Sequence, residues 1–374
     1  MRNKIITSFF CLLLAVSALI GLLMPDRYYS EREKRTLTQK PKFTVADFIS
    51  GEFSGELEKY LTDQFSLRDG WVTMKTYMEL AIGKRESSGV YLCKDQYLMD
   101  KFTSYSKKQL AANAAALADL QEKLAAEGVS MNTILVPMAA QVLTDKLPAH
   151  APVTDYTAIL QVLTDAGVDT TDVLSALAAH SSENIYYRTD HHWTSLGAYY
   201  AYSQLCQTLG LTPFDTAAHT ALTANGFYGT HYAKARTWNA VPDVITYYDL
   251  ANTLTVWNVT AAGQPAEGQT TGLYDTEKLS VYDKYAMFLH GNNGLSRVQG
   301  NGSGRILVIK DSYANCFVPY LTANYADIDV VDFRNYNYGL DKLIADNGYD
   351  QILVLYNFDS FKSDPYLYRA GVQG

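Results

Sequence analysis

The residues that could perform chemistry together include a carboxylate and an imidazole two positions apart, Asp190 and His192, in the segment RTDHHWTSLG. In an extended turn both side chains leave the same face of the chain, because alternate residues point to the same side. A carboxylate placed there fixes one ring nitrogen of the imidazole and leaves the other free to accept a proton. The pair is therefore a candidate general base that still needs a nucleophile.

The candidate nucleophile is Ser312, far along the chain. The segment GRILVIKDSY reads as a buried strand from Arg305 to Lys310 that ends just before this serine. A serine between a strand and a helix lies at the carboxyl edge of a sheet, where helix N-terminal amides can bind an oxyanion. The glycines of G-x-S-x-G are absent, so the usual hydrolase elbow is not indicated, and a serine that only caps a helix fits the same pattern. We predict that Ser312 completes a serine–imidazole–carboxylate triad.

Two other interpretations of the histidine segment stay open on the sequence. In the first, the segment is a capped helix start, with one histidine bonded to the backbone. In the second, a metal ion is bound by acidic and imidazole groups from this set: Asp190, His191, His192, Asp311, His231 and His290. Adjacent side chains of an extended chain point apart, so we expect His191 and His192 not to share one ion. The prediction is therefore no metal and no cofactor.

The elements that must position these residues follow an α/β pattern. A helix is predicted from Lys107 to Gly128 by propensity and periodicity, and it leads directly into the buried run NTILVP. Near the C-terminus, β-branched runs such as RILVIK and QILVLYN alternate with helical segments, as in parallel β-α-β units. We predict one parallel sheet, flanked by helices and built from both ends of the chain.

The other segments complete the predicted domain division. Residues 1–25 form a signal-anchor or signal peptide, and residues 26–88 form a juxtamembrane linker and a helical region. Residues 89–374 form the α/β catalytic domain, which opens with a small hairpin in GVYLCKDQYLMD. Within this domain, residues 214–304 contain short alternating runs and are interpreted as a β-rich insertion over the sheet edge.

The N-terminal segment is predicted to target the chain to a membrane. Two basic residues precede an apolar run from Ile5 to Met24, which is about the length that spans a bilayer. The run is either an uncleaved anchor, which we favour, or a signal peptide cut near Ser17, where small residues loosely satisfy the cleavage rule. In both cases the chain after Pro25 is predicted to lie outside the cytoplasmic membrane, in the anchored form as a single-pass protein of the cell membrane.

Composition narrows the classes of partner. The net charge is −8, and no long run of Lys and Arg follows the apolar segment, which argues against nucleic acid and anionic membrane surfaces. The 29 tyrosines suit stacking on sugar rings as well as packing around a β-rich region. Of the four cysteines, Cys11 lies in the apolar run and the others form no C-x-x-C pair, so no disulfide framework or zinc ribbon is indicated.

The segment RTDHHWTSLGAYYAY resembles the signature of the DHHW family, bacterial extracytoplasmic proteins related to the alginate O-acetylation proteins of the AlgJ and AlgX type. Other segments are similar to family blocks in family order, among them EKYLTDQFSLRDGW, FYGTHYAKA, DKYAMFLHGNNGL and ILVIKDSYANCFVPYL. The resemblance extends over most of the chain and implies an SGNH-hydrolase-like (flavodoxin-like) fold. In the related acetyltransferases, the Asp and His of DxHW and a later serine form the triad, which implies Asp190, His192 and Ser312 here. The carboxylate and imidazole precede the serine, the reverse of ordinary SGNH hydrolases.

The resemblance also implies an oxyanion site. SGNH-like enzymes take oxyanion donors from a glycine and an asparagine, which suggests Gly291 and Asn292 in the segment HGNNG. A common family form has glycine at the position of His290, which would add polarity to the pocket or lie on its rim. Tyr313, next to the serine, and Arg334, after a predicted strand, complete the candidates for the oxyanion or substrate side of the cleft.

The expected activity is extracytoplasmic transfer of an acyl group, acetyl by resemblance, to or from hydroxyls of a cell-surface polysaccharide. The resemblance implies an MBOAT-type membrane acyltransferase as the partner that supplies the donor. Transferase and acetylesterase directions share one acyl-enzyme, so both stay open. The alternative from another class is a non-catalytic polysaccharide-binding or assembly protein, in which the three triad side chains would point apart. A metal-dependent hydrolase is the third hypothesis.

Overall fold

The computed structural model describes residues 2–30, 35–259 and 265–371 of the chain. Part of the predicted linker, residues 31–34, and part of the predicted insertion, residues 260–264, lie outside the described residues, as do the two chain ends.

The described residues contain 13 α-helices and 14 strands. The α-helices are Arg2–Leu23 (α1), Val45–Ser50 (α2), Glu52–Asp63 (α3), Arg68–Ala81 (α4), Lys107–Ala126 (α5), Ala139–Val142 (α6), Tyr156–Asp165 (α7), Leu174–Ala179 (α8), Ser195–Leu209 (α9), Thr230–Ala235 (α10), Val318–Leu321 (α11), Asp341–Asn347 (α12) and Phe358–Phe361 (α13). The strands are Tyr29–Ser30 (β1), Arg35–Thr36 (β2), Glu86–Ser87 (β3), Val90–Leu92 (β4), Leu98–Asp100 (β5), Ser130–Val136 (β6), Ala221–Phe227 (β7), Asp243–Tyr248 (β8), Thr253–Val259 (β9), Pro265–Gly272 (β10), Leu295–Gln299 (β11), Arg305–Lys310 (β12), Asp327–Val331 (β13) and Gln351–Asn357 (β14).

The central sheet has seven strands in the order β10-β9-β11-β13-β12-β14-β6. The four strands from β13 to β6 are parallel, as predicted, and come from both ends of the chain. Strands β11, β9 and β10 continue the sheet with antiparallel pairing, so the prediction of a wholly parallel sheet is wrong. The reason is connectivity: only residues 260–264 separate β9 from β10, whereas a parallel pair needs a crossover of a dozen residues or more.

Strand β12 is buried on both faces, which explains its continuous apolar sequence. Ile306 and Val308 pack in the core on one face of the sheet, and Leu307 and Ile309 pack in the core on the other. Each such side chain contributes about 1.5–3 kcal/mol relative to exposure. The strand is therefore a rigid support for the residues that follow its carboxyl end.

The segments that flank the sheet agree with several predictions. The hairpin formed by β4 and β5 and the helix α5 lie where the sequence predicts them. Strands β7 and β8 pair as a separate ribbon, while β9, β10 and β11 join the main sheet. Within the described residues, α1 is the one helix long and apolar enough to cross a membrane, over Lys4–Gly21.

Candidate active site

A hydrogen-bonded chain joins the three predicted triad residues. The Oδ1 atom of Asp190 lies 2.5 Å from Nδ1 of His192, and Nε2 of His192 lies 2.8 Å from Oγ of Ser312. The carboxylate and the imidazole are buried, and the serine is half-buried. Because an ionised carboxylate only accepts hydrogen bonds, Nδ1 carries the proton and Nε2 accepts from the serine hydroxyl.

The carboxylate of Asp190 is fixed on both oxygens. Oδ1 also accepts from the amide of His192 at 3.1 Å, and Oδ2 accepts from the amide and hydroxyl of Thr230 at 2.8 and 3.2 Å. A Cβ on Gly229 would lie 2.2 Å from Oδ2, so only glycine leaves room for the carboxylate there. Both residues lie in the segment FYGTHYAKA, which resembles a family block but predicts no role for either of them from its sequence alone.

The loop that carries the histidines is anchored to the β7–β8 ribbon. The amides of Arg188 and Thr189 donate to the two carboxylate oxygens of Asp243, both at 2.8 Å, and the Thr189 hydroxyl donates to the same group at 2.6 Å. Thr194 caps the following helix α9 by accepting from the amide of Gly197 at 3.3 Å, as expected for a rigid helix start. Part of the predicted insertion therefore positions the triad.

Trp193 and Tyr313 join the two motifs. The buried indole of Trp193 donates from Nε1 to the carbonyl of Tyr313 at 2.9 Å. The Tyr313 hydroxyl donates to the carbonyl of His191, and its amide donates to Asp311 at 2.9 Å. With 1% exposure and both polar groups engaged, Tyr313 positions the histidine loop rather than lying at the substrate. This placement corrects its predicted role on the substrate side of the cleft.

Tyr285 supports the imidazole and was missed by the sequence analysis. Its ring stacks on that of His192, with centroids 3.9 Å apart and planes 14° apart, and its hydroxyl donates to the carbonyl of Ser312 at 3.1 Å. Burial raises the pKa of Tyr285 well above its usual value, so the hydroxyl stays protonated and remains a donor. No spacing singles out this tyrosine among the 29 in the chain.

A buried lysine lies two residues before the serine. Lys310 is 1% exposed, and its Nζ donates to Oδ1 of Asn292 at 2.8 Å, to Oδ1 of Asn315 at 2.7 Å and to Asp332 at 3.4 Å. Burial lowers the pKa of Lys310 to about 8, against the opposing charge of Asp332. Since an ammonium group only donates, the carboxamide of Asn292 must turn its oxygen toward Lys310 and its Nδ2 away.

Arg334 lies at the same edge of the sheet, because Asp332 follows β13 and Ser312 follows the parallel neighbour β12. Its guanidinium forms two hydrogen bonds to Asp332, at 2.8 and 2.5 Å, while 40% of its side chain stays exposed. Burial acts to raise the pKa of Asp332, but the charges of Lys310 and Arg334 lower it, so this carboxylate is ionised. The predicted role of Arg334 on the substrate side of the cleft stays a prediction.

The two predicted oxyanion donors, Gly291 and Asn292, differ in whether their N–H groups already form hydrogen bonds within the protein. The amide of Gly291 already donates to the carbonyl of Phe288 at 3.0 Å, so its contacts do not support the predicted role. Within the described residues, neither Nδ2 of Asn292 nor the amide of Ser312 donates to a protein acceptor. His290 bonds through Nε2 to the carbonyl of Gly272 at 2.9 Å. Within the part of the chain that the structure describes, these two donors make no hydrogen bond to the protein, and the oxyanion role of Asn292 stays a prediction.

The two histidines lie closer together than expected. The ring centroids of His191 and His192 are 3.8 Å apart, and with Asp190 they place one ligand atom each within 4.8 Å of one another. The expectation that they point apart is wrong, because residues 188–192 form bends rather than an extended chain. The Nδ1 atom of His191 bonds to the Thr230 hydroxyl at 2.6 Å, and burial with the neighbouring His192 lowers the pKa of His191, which keeps it neutral.

The other proposed metal ligands lie elsewhere. His231 places Nε2 2.9 Å from Asp100 of strand β5, and both carboxylate oxygens of Asp311 accept from amides, those of Tyr313 and Asn357 at 2.9 Å each. Among the described residues, the one group with the spacing for a metal ion is the one formed by Asp190 and the two histidines.

A family model matches the middle of the chain. The model described as "SGNH hydrolase-like domain, acetyltransferase AlgX" matches residues 92–278, which is half of the 374-residue chain. The matched range contains Asp190, His192 and Thr230 and ends before Ser312. The role of the serine therefore depends on the geometry described above.

Curated relatives match at low identity. The "Probable alginate O-acetylase AlgJ" of Azotobacter vinelandii is 23% identical over 179 residues, which cover 45% of this chain and 46% of that protein. The protein of the same name from Pseudomonas syringae pv. tomato is 23% identical over 202 residues, 52% of this chain and 51% of that protein. The chain thus spans about half the length of the curated relatives it matches.

Solved structures match over most of the chain. A DHHW family protein from Eubacterium siraeum superimposes with a TM-score of 0.65 and 24% identity, covering 76% of this chain and 95% of that one. PatB1 of Bacillus cereus superimposes with a TM-score of 0.59 and 20% identity, covering 73% and 97%. These likenesses confirm the SGNH-hydrolase-like fold and the resemblance to the DHHW family. The chain belongs to the family described as SGNH hydrolase-like domain, acetyltransferase AlgX.

Proposed function

We propose that this protein transfers an acyl group, most simply acetyl, to or from a hydroxyl of a cell-surface polysaccharide through Ser312. The single observation that carries the proposal is the hydrogen-bonded chain from Asp190 through His192 to Ser312, at 2.5 and 2.8 Å. The names of the curated relatives, alginate O-acetylases, support acetyl and polysaccharide as the chemical classes. A non-catalytic binding protein would have no need to align these three groups.

The chemistry has two halves. The Ser312 oxygen attacks the carbonyl carbon of the donor while its proton passes to Nε2 of His192, and the departing donor oxygen takes that proton. In the second half, an acceptor hydroxyl or water gives its proton to His192 and attacks the acyl-enzyme, which releases Ser312. The carboxylate of Asp190 stabilises the imidazolium in both halves. The free Ser312 amide and Nδ2 of Asn292 are the donors proposed for the oxyanion.

Lys310 is proposed as a positioning residue for this site. Its Nζ fixes the oxygen of Asn292, so it determines where the carboxamide nitrogen points. We expect Lys310→Met to lower the acyl-transfer rate by roughly 10²-fold, the loss typical of one oxyanion donor.

The same variant should stay folded at the assay temperature, with a modest loss of melting temperature because the buried Oδ1 of Asn315 loses its donor. Asp332 keeps its two hydrogen bonds to Arg334, and a buried ammonium group is itself unfavourable. Rate and thermal melting are measured on Lys310→Met beside Lys342→Met, which removes an exposed lysine of α12. A wild-type rate for folded Lys310→Met would contradict the positioning role, and unfolding at the assay temperature would show that Lys310 supports the fold.

The proposed location is the outer face of the cytoplasmic membrane, with α1 as the anchor or as a signal peptide. A membrane acyltransferase of the MBOAT type is the proposed donor-side partner. The length and composition of α1 and the family to which the chain belongs support this location.

The test is turnover of p-nitrophenyl acetate by the full chain purified in detergent, with and without EDTA, and with and without an oligosaccharide acceptor. The proposal predicts release of p-nitrophenol that EDTA leaves unchanged. Loss of turnover with EDTA and its recovery with Zn²⁺ would instead support the metal-dependent hydrolase, for which Asp190, His191 and His192 offer the ligands. No turnover under any condition would support a binding or assembly protein.

A further inference from the structure

A cavity of about 480 Å³ lies between helix α4 and helix α10. Aromatic side chains dominate its lining: Tyr77, Tyr228, Tyr232, Trp238 and Tyr282. The lining residue Arg236, which follows α10, is buried, and its Nη2 lies 2.8 Å from Asp69 of α4. The mechanism proposed above uses none of these side chains.

Two of the segments that line the cavity also carry residues that support the triad. Helix α10 begins at Thr230, which donates to Asp190, so Tyr228 and Tyr232 flank the residue that fixes the carboxylate. On another wall, Tyr282 lies three residues before the tyrosine that stacks on His192. The cavity is therefore built on segments that also hold the carboxylate and the imidazole in place.

The lining combines open aromatic faces with fixed polar groups. Trp238 is 75% exposed and Tyr77 is 42% exposed, while the rings of Tyr228 and Tyr232 lie 4.5 Å apart. Arg236 is held by its ion pair with Asp69 and by a hydrogen bond from Nε to a backbone carbonyl at 3.1 Å, so its guanidinium has a fixed position in the lining. Apolar ring faces beside hydroxyl groups and a cation match a sugar ring, which has an apolar face and a rim of hydroxyls.

We propose that this cavity binds the acceptor saccharide, with one sugar ring stacked on Trp238. The inference rests on the proposed function, because the bound saccharide would supply the hydroxyl that accepts the acyl group from Ser312. It also gives the helical region a role in specificity, since Thr73 and Tyr77 belong to α4 and lie outside the range that matches the family.

The experiment measures saccharide binding without any acyl donor, by calorimetry on the full chain in detergent. The probes are chitotetraose, which is neutral, and tetragalacturonate, which is acidic. We expect Trp238→Ala to weaken binding of the better probe about tenfold, the size of one aromatic contact. Tyr77→Ala should act in the same direction. The matched control is Tyr368→Ala, which removes an exposed tyrosine far along the chain from this cavity and should leave binding unchanged.

The difference in affinity between the acidic and the neutral probe shows whether Arg236 takes part in recognition. Tighter binding of the acidic probe would assign Arg236 a part in recognition, and equal binding would leave stacking and hydroxyl contacts as its basis; both support the site. Equal affinities of wild type, Trp238→Ala and Tyr77→Ala would overturn it, as would no binding of either probe. Because acylation of Ser312 by p-nitrophenyl acetate needs no saccharide, these failures are distinct from failure of the proposed function.

Discussion

Replacement of Ser312 with alanine is expected to lower the acyl-transfer rate by roughly 10³-fold or more. The hydroxyl oxygen is the atom that would carry the acyl group, and among the described residues it is the one hydrogen-bond partner of Nε2 of His192, at 2.8 Å. Without the hydroxyl, product could be released only by direct attack of water on the carbonyl carbon of the bound acyl donor. The measurement is release of p-nitrophenol and transfer of acetyl to an oligosaccharide.

The control for this variant is Ser303→Ala, which removes an exposed serine in the turn before strand β12. Its rate should equal that of wild type. If Ser312→Ala were as active as Ser303→Ala, the serine would be a helix cap and the covalent mechanism would be contradicted.

Asp190→Asn is expected to lower the rate by about 10⁴-fold, with little change in folding. The asparagine side chain fills the same space and can still accept from Thr230, but its nitrogen, facing His192, would donate to Nδ1. The imidazole would then carry its proton on Nε2 and could not accept one from the serine hydroxyl.

The matched control is Asp346→Asn, an exposed carboxylate of helix α12. Both variants should melt at the wild-type temperature, and only Asp190→Asn should lose activity. A rate within tenfold of wild type for Asp190→Asn would contradict the role of this carboxylate in fixing the tautomer of His192.

The local patterns of the sequence predicted the parts of the site that depend on local structure. The continuous apolar run of β12 predicted a buried strand, and a strand that ends at Lys310 must present Ser312 at the carboxyl edge. The pairing of Asp190 with His192 followed from their spacing, although the bends of residues 188–192, not an extended chain, produce it. The same bends explain why the expected divergence of the two histidines was wrong.

Other parts of the site depend on contacts that no local pattern records. Thr230 lies 40 positions after Asp190, and only the folded ribbon β7–β8 brings them together. Lys310 reads as the polar end of a strand, and its burial becomes evident only when β13 supplies Asp332. The antiparallel pairing of β11, β9 and β10 could not be predicted for the same reason. Short alternating runs do not specify which edge of a sheet they join.

The most direct test of the central claim is to locate the acyl group. The full chain in detergent is mixed with p-nitrophenyl acetate, quenched in acid, digested and sequenced by tandem mass spectrometry, beside Ser312→Ala. The proposed mechanism predicts one acetyl group on Ser312 in the wild-type protein and none on the corresponding peptide of the variant. Release of p-nitrophenol with no acetyl group on Ser312 would contradict it. Equal acetylation of the peptide around position 312 in the wild-type protein and in Ser312→Ala would also contradict it.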